Sequence, residues 1–267
     1  MKLSLYLKNR HLIIGALWFL FLFTVIQPAS GASDLFKTFN TNLAATHSDF
    51  MPDSERERIL VLLQNETWAK VEYNRIRKLA RKPDGYYWAA FLYALEKSPE
   101  YLPVAHKWLL KFGKTGGDLS KRALEADDAF FKGGQPWLGD VYYRIDLKPY
   151  LAYAWVRDSF TRTQRKQIEN GFQASARFRM RAMERWSQTP NLVFKPTCMV
   201  GVAGLVTGSQ EFLKWGFYRR SWTRPSHSGY FQVLNTVLTD QGPWFEAPIY
   251  AIAQKPLLMM NRISKLL

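Results

Sequence analysis

The chain has 267 residues, 47% of them apolar and 15% aromatic, with 37 Lys+Arg against 22 Asp+Glu and a formal net charge of +15. That apolar content excludes an intrinsically disordered chain and suffices for one substantial core. The single cysteine, Cys198, excludes an internal disulfide, and the four histidines (His11, His47, His106 and His227) are scattered singly, without the ligand spacing of a structural zinc site.

The first residues read as a leader. "MKLSLYLKNRH" is basic, "LIIGALWFLFLFTVI" is an apolar run over 12–26, and "QPASGAS" is a small-residue exit, which together predict a signal peptide over residues 1–31 with cleavage after Gly31 or Ser33. An uncleaved anchor is the alternative, disfavoured because the run is slightly short of the roughly 20 residues that a spanning helix needs. Either way the folded part, residues 32–267, is expected outside the cytoplasm, secreted or periplasmic. Removing Lys2, Lys8 and Arg10 leaves 34 basic against 22 acidic residues. So large an excess favours anionic partners. For an exported protein these are an acidic polysaccharide or an anionic membrane surface. Nucleic acid is not expected, since no recognition motif is visible and the basic residues are dispersed. After leader cleavage no stable membrane association is expected.

Almost everything that follows reads as helix. "DSERERILVLLQNETWAKVEYNRIRKLA" has Asp53 or Ser54 as a cap and Ile59, Leu62, Leu63, Val71, Ile76 and Leu79 at helical spacing. "GYYWAAFLYALEKS" stops at Pro99, and "EYLPVAHKWLLKFGK" ends at glycine. An irregular stretch with paired acids and glycines comes next. Helices resume in "LKPYLAYAWVRDSFTRTQRKQIENGFQASARFRMRAMERW", with a break at "FTRTQ" where Thr161 or Thr163 caps the second piece. "PTCMVGVAGLVTG", "QEFLKWGFYRRSW", "SGYFQVLNTVLT" and "PIYAIAQKPLLMMNRISKLL" complete the series. Apolar residues rarely alternate over more than four positions, and no tight hairpin dipeptide joins two runs, so strands are not expected. The predicted fold class is all-α, built from antiparallel helix pairs, and Cys198 is expected to be buried in its apolar run.

Three stretches carry a resemblance: "LKPYLAYAWVRDSFTRTQRKQIENGF", "TPNLVFKPTCMVGVAGLVTG" and "DQGPWFEAPIYAIAQKPLLMM". Together they resemble the helical catalytic domain of polysaccharide lyases of the heparinase II/III-like and alginate-lyase-like superfamily. The likeness extends loosely over residues 55–267, with its specific motifs in about forty of them. The resemblance implies an incomplete (α/α) toroid of helical hairpins around a cleft, no cofactor, and β-elimination on a uronate-containing polymer. That reaction removes a weakly acidic proton α to a carboxylate, so the carboxylate charge has to be neutralised first. By the resemblance, Asn191 is the neutralising amide and Tyr250 the catalytic base and acid. The chain departs from the family in having no histidine beside Asn191 and none downstream of Tyr250; His227 in "RPSHSGY" is the available substitute.

Read on their own terms, the same residues leave other chemistry open. By default Asn191, after Pro190, is a turn or cap residue and Tyr250 a half-buried packing residue. Asp240 and Glu246 are the acidic pair that a glycoside hydrolase would need across a cleft, or Glu246 simply caps a helix. "RFRMRAMERW" and "FYRRSWTRP" offer Arg179, Arg185, Arg219, Arg220 and Arg224 for carboxylates, with Trp186, Trp222 and Trp244 for stacking on sugar rings. A catalytically silent carbohydrate-binding or scaffold protein is the reading from a different class.

Overall fold

The computed structural model describes residues 50–115, 147–185, 190–219 and 229–230, and for 184–185 and 190–195 the backbone alone. These residues form α1 (Asp53–Asn65), α2 (Thr67–Ala80), α3 (Tyr86–Glu96), α4 (Leu102–Lys114), α5 (Lys148–Val156), α6 (Arg162–Arg185), α7 (Pro190–Thr207) and α8 (Gln210–Leu213). A π-helical turn, Lys214–Tyr218, continues α8, and single 3-10 turns at Pro99–Tyr101 and Arg157–Ser159 precede α4 and follow α5. Among the described residues there are eight α-helices and no strand, so the chain is all-α there.

The centre of the fold is α5. "KPYLAYAWV" buries every residue except Lys148. A helix that is apolar all round has no face for water and needs neighbours on every side. It finds them in α3, α4 and α7. Its tyrosines span the wider gap to α6, where the Tyr150 ring stacks on Phe172 at 4.4 Å between centroids and Tyr153 meets the same ring edge-on at 5.4 Å. Helix α3 is nearly as apolar, with Tyr86, Tyr87, Ala89, Ala90, Leu92, Ala94 and Leu95 buried. The resulting order is regular: α3, α5 and α7 touch in succession, while α4 and α6 touch each other beside them. Helices that alternate between two rows in this way are successive hairpins laid side by side.

Two glycine contacts set how closely neighbouring segments approach. Gly113 of α4 and Gly171 of α6 face each other, and a Cβ on Gly113 would lie 2.8 Å from the Gln167 carbonyl oxygen and from Ile168 Cα. Gly216 of the π turn faces Gly201 of α7, where a Cβ would lie 2.4 Å from the Gly201 Cα. Neither space admits a methyl group without moving backbone.

Several local expectations are borne out and others are corrected. Thr161 caps α6 with a reciprocal pair, its Oγ1 accepting from the Gln164 N–H (3.3 Å) while Gln164 Oε1 accepts from the Thr161 N–H (2.9 Å). Cys198 is buried, and burial pushes its thiol far above the usual range. The long first helix is in fact two, because Glu66 is extended (φ −110°, ψ 121°) and separates α1 from α2. Neither Asp53 nor Ser54 caps α1; Pro52 holds that position without a side-chain bond, and Asp53 lies inside the first turn, where its charge suits the helix's positive end. Helix α7 starts at Pro190, so Pro196 lies inside it.

Gly113→Ala and Gly216→Ala are each expected to lower the unfolding free energy by about 1–3 kcal/mol through overpacking. Urea denaturation checks this, and unchanged midpoints would mean that the helices do not cross at these glycines.

Candidate functional site

The residues singled out in the sequence for substrate contact fall on the C-terminal half of the chain, where the helix directions can be followed contact by contact. Arg177 of α6 pairs with Glu211 (3.6 Å) and lies 5.5 Å above the Phe212 ring of α8. Since α8 packs at the C-terminal end of α7, Leu213 against Gly204, the middle of α6 lies beside the end of α7. Only four residues separate the end of α6 from the start of α7, so Arg185, the last residue of α6, and Asn191, the second of α7, stand at the same junction, and the far end of α7 returns beside α6. The π turn runs back along α7 in turn, Gly216 reaching Gly201 and the Thr197 carbonyl oxygen. Arg219, directly after the turn, continues towards the same end. From helical rise, Arg219 and Asn191 remain on the order of 10 Å apart along the axis.

Arg219 is held from two directions. Its guanidinium lies 3.7 Å above the Trp215 ring centroid, and its carbonyl accepts a 2.6 Å bond from the Gly229 N–H. A Cβ on Gly229 would fall 2.6 Å from the Phe217 carbonyl carbon, so only glycine permits this closure, and Tyr230 fixes it by packing edge-on against Phe217 at 6.1 Å. Next to these contacts, Thr197 Oγ1 and Trp215 Nε1 are buried without a hydrogen-bond partner, a costly state that folded proteins keep to a few positions. The chain leaves at Arg219 and is back at Gly229. Arg220 and His227 lie outside the described residues, but are one residue beyond and two residues before that closure. Trp244, Glu246, Asp240 and Tyr250 also lie outside them, and of Arg185 and Asn191 the backbone alone is described.

One expected groove residue is corrected. Arg179 is fully buried, its Nη1 donating to the Ser175 carbonyl oxygen at 3.3 Å and to the Ser175 hydroxyl. It shares a face of α6 with Ile168, Phe172, Ala176 and Met183, all buried. Helical spacing of three and four puts it in phase with that core face, and the basic run "RFRMR" hides the phase from a reading by charge alone.

The described tyrosines bear on which one can act as a base. Tyr153 donates to Glu169 Oε1 at 2.6 Å, and burial together with that carboxylate drives its hydroxyl far above the usual range. Tyr73 is pushed up to about 12 by burial and its bond to Glu96. Tyr101 and Tyr218 are also raised, burial being the largest cause for each. A base has to ionise near neutral pH, which calls for a neighbouring cation and not a carboxylate. None of these four meets that need.

A histidine and a serine that the sequence left far apart do meet. His106 Nε2 of α4 is 2.7 Å from Ser159 Oγ, and the imidazole stacks on Phe160 at 4.1 Å. This is not a nucleophile and its base. The serine hydroxyl donates to the Val156 carbonyl, so the imidazole must be the donor in the His106–Ser159 bond. The site also lies at the C-terminal end of α5, whose partial negative charge opposes an oxyanion. The pair clamps α4 to the α5–α6 turn.

No protein-family model matches the chain, and no curated protein matches it. Among the described residues no three His, Cys, Asp or Glu side chains gather as metal ligands, and no helix is long and apolar enough to cross a membrane.

Burial lowers the His106 pKa below its ordinary 6.5. The native state thus binds fewer protons than the unfolded chain, so stability is whole above about pH 6.5 and declines as pH falls through that value. His106→Gln is expected to remove this part of the acid sensitivity. Melting temperatures of the two proteins from pH 8 to 5 check it, and parallel curves would contradict it.

Proposed function

We propose that the protein is a polysaccharide lyase that cleaves a uronate-containing polymer by β-elimination, on an incomplete (α/α) toroid of helical hairpins. The observation that carries the reading is that Arg185 ends α6 and, with only four residues between the two helices, Asn191 stands in the first turn of α7, with the π turn and Arg219 packed along α7. The succession α3, α5, α7 beside α4, α6 supports the toroid, because such a ring is made by repeating that step.

In this mechanism the Asn191 amide donates to the uronate carboxylate, and the arginines lower the potential around it. Tyr250, as its phenolate, takes the C5 proton. The electron pair from that C–H bond forms the C4–C5 double bond as the C4–O bond breaks. The leaving oxygen then receives the proton from the Tyr250 hydroxyl, so base and acid are one group. The products are a new reducing-side fragment terminus at the broken bond's other end and a 4,5-unsaturated uronate on the fragment that lost the C4 oxygen. The upward shift of the four tyrosines described above leaves the Tyr250 assignment from the sequence without a rival among them. Excess basic charge draws the polyanion in from a distance.

The assay is ultraviolet absorbance of the unsaturated product on alginate, heparan sulfate, hyaluronan and pectate. A rise is expected on at least one polymer. Asn191→Ala should reduce its rate about 10²–10³-fold, as for loss of one donor to a developing oxyanion. Tyr250→Phe should reduce it about 10²–10⁴-fold, as for loss of the acid-base group. No absorbance change on any of the four by a folded protein, with retained polymer binding, would make it a binding protein.

A further inference from the structure

We propose that the outer face of α2 is a docking surface for an anionic lipid membrane. Most large apolar side chains of the described helices are buried or packed against the core, yet Val61, Trp68 and Val71 are 53%, 47% and 65% exposed. Trp68 and Val71 are one helical turn apart on α2, and continuing that line by three or four residues meets Arg75 and Lys78, both exposed, with Arg81 and Lys82 just past the helix end, also exposed. From Glu66 to Lys82 there are six basic residues and two acidic ones. One acid, Glu72, is already taken by Arg75, whose Nε lies 2.8 Å from Oε2. The helix therefore presents an indole and a valine at one end of a stripe and cations at the other.

Each part suits a lipid surface. Tryptophan settles at the interface between headgroup and acyl chain, a neighbouring aliphatic side chain deepens the contact, and lysines beside it read phosphate charge. A polyanionic sugar would use the cations and the indole but would leave Val71 in water. A second copy of this chain would bring like-charged stripes together. The surface is independent of the candidate site on α6 and α7.

Val71→Cys labelled with an environment-sensitive fluorophore tests this in the full chain, since Cys198 is buried and its thiol is raised. Total vesicle binding is not the readout, because residues 12–26 can themselves insert; the local signal at position 71 is. With phosphatidylglycerol vesicles the emission should shift to the blue and intensify, and with phosphatidylcholine vesicles it should change little. Lys78→Glu should weaken the response several-fold, in line with the worth of one basic residue at an anionic surface, and Trp68→Ala should diminish the blue shift. Vesicle binding with no change at position 71 would overturn the proposal. So would an equal response to soluble alginate or heparin, which would make the face a sugar track, or a response that grows with protein concentration alone, which would make it a self-association surface.

Discussion

Everything in the described fold follows from the burial of α5. Eight of its residues are shut away from water, and a helix without a polar face cannot lie at a surface. Four other helices have to surround it, and the chain supplies them from both sides in sequence, α3 and α4 before it and α6 and α7 after it. The tyrosines do part of this work because they are long. They fill the space between α5 and α6 that Cα atoms leave open, while their hydroxyls end on Ser175 and Glu169, which spares the core two unsatisfied groups. Small residues act in the opposite sense. At the Gly113–Gly171 and Gly201–Gly216 crossings the backbones come so near that side chains are excluded. Wide and narrow spacings thus alternate around one central rod.

The candidate site inherits its position from this packing. The π turn doubles back on α7, so that Gly216 meets Gly201 and the chain leaves the turn at Arg219 beside the middle of α7. A π-helical turn adds a residue per turn, and such turns recur at functional sites; here it carries Trp215 under the Arg219 guanidinium. The stacking takes freedom from the Arg219 side chain, whose Nε and Nη2 are buried. The His106–Ser159, Tyr153–Glu169 and Tyr73–Glu96 pairs are, by contrast, hydrogen-bonded clamps between elements.

Much of the helical framework was legible in the residues. The apolar phase of "YYWAAFLYALE" and "KPYLAYAWV" dictates buried helices, Thr161 and Gln164 spell a capping box, and Cys198 sits in an apolar run that had to be internal. What misled was local composition without phase. Arg179 looks like one of a surface cluster because its neighbours are basic, yet its spacing from Ile168 and Phe172 puts it in the core. Glu66 gave no breaker signal at all. No glycine or proline marks it, and the chain turns there because α2 has to lay Tyr73 and Ile76 against the core while α1 leaves no residue fully buried.

Among the described residues, the sequence by itself determined the all-α class, where most of the helices lie and the types of group available for chemistry, because periodicity, caps and charge are properties of neighbours along the chain. It could not determine which ends of which helices come together. That Arg219 comes to lie beside the middle of α7, that Arg179 turns into the core, and that His106 meets Ser159 across 53 positions depend on interhelix directions. Those directions are set by the wrapping of α5 and by the glycine crossings, which are contacts between residues far apart in sequence, and only the tertiary structure decides them.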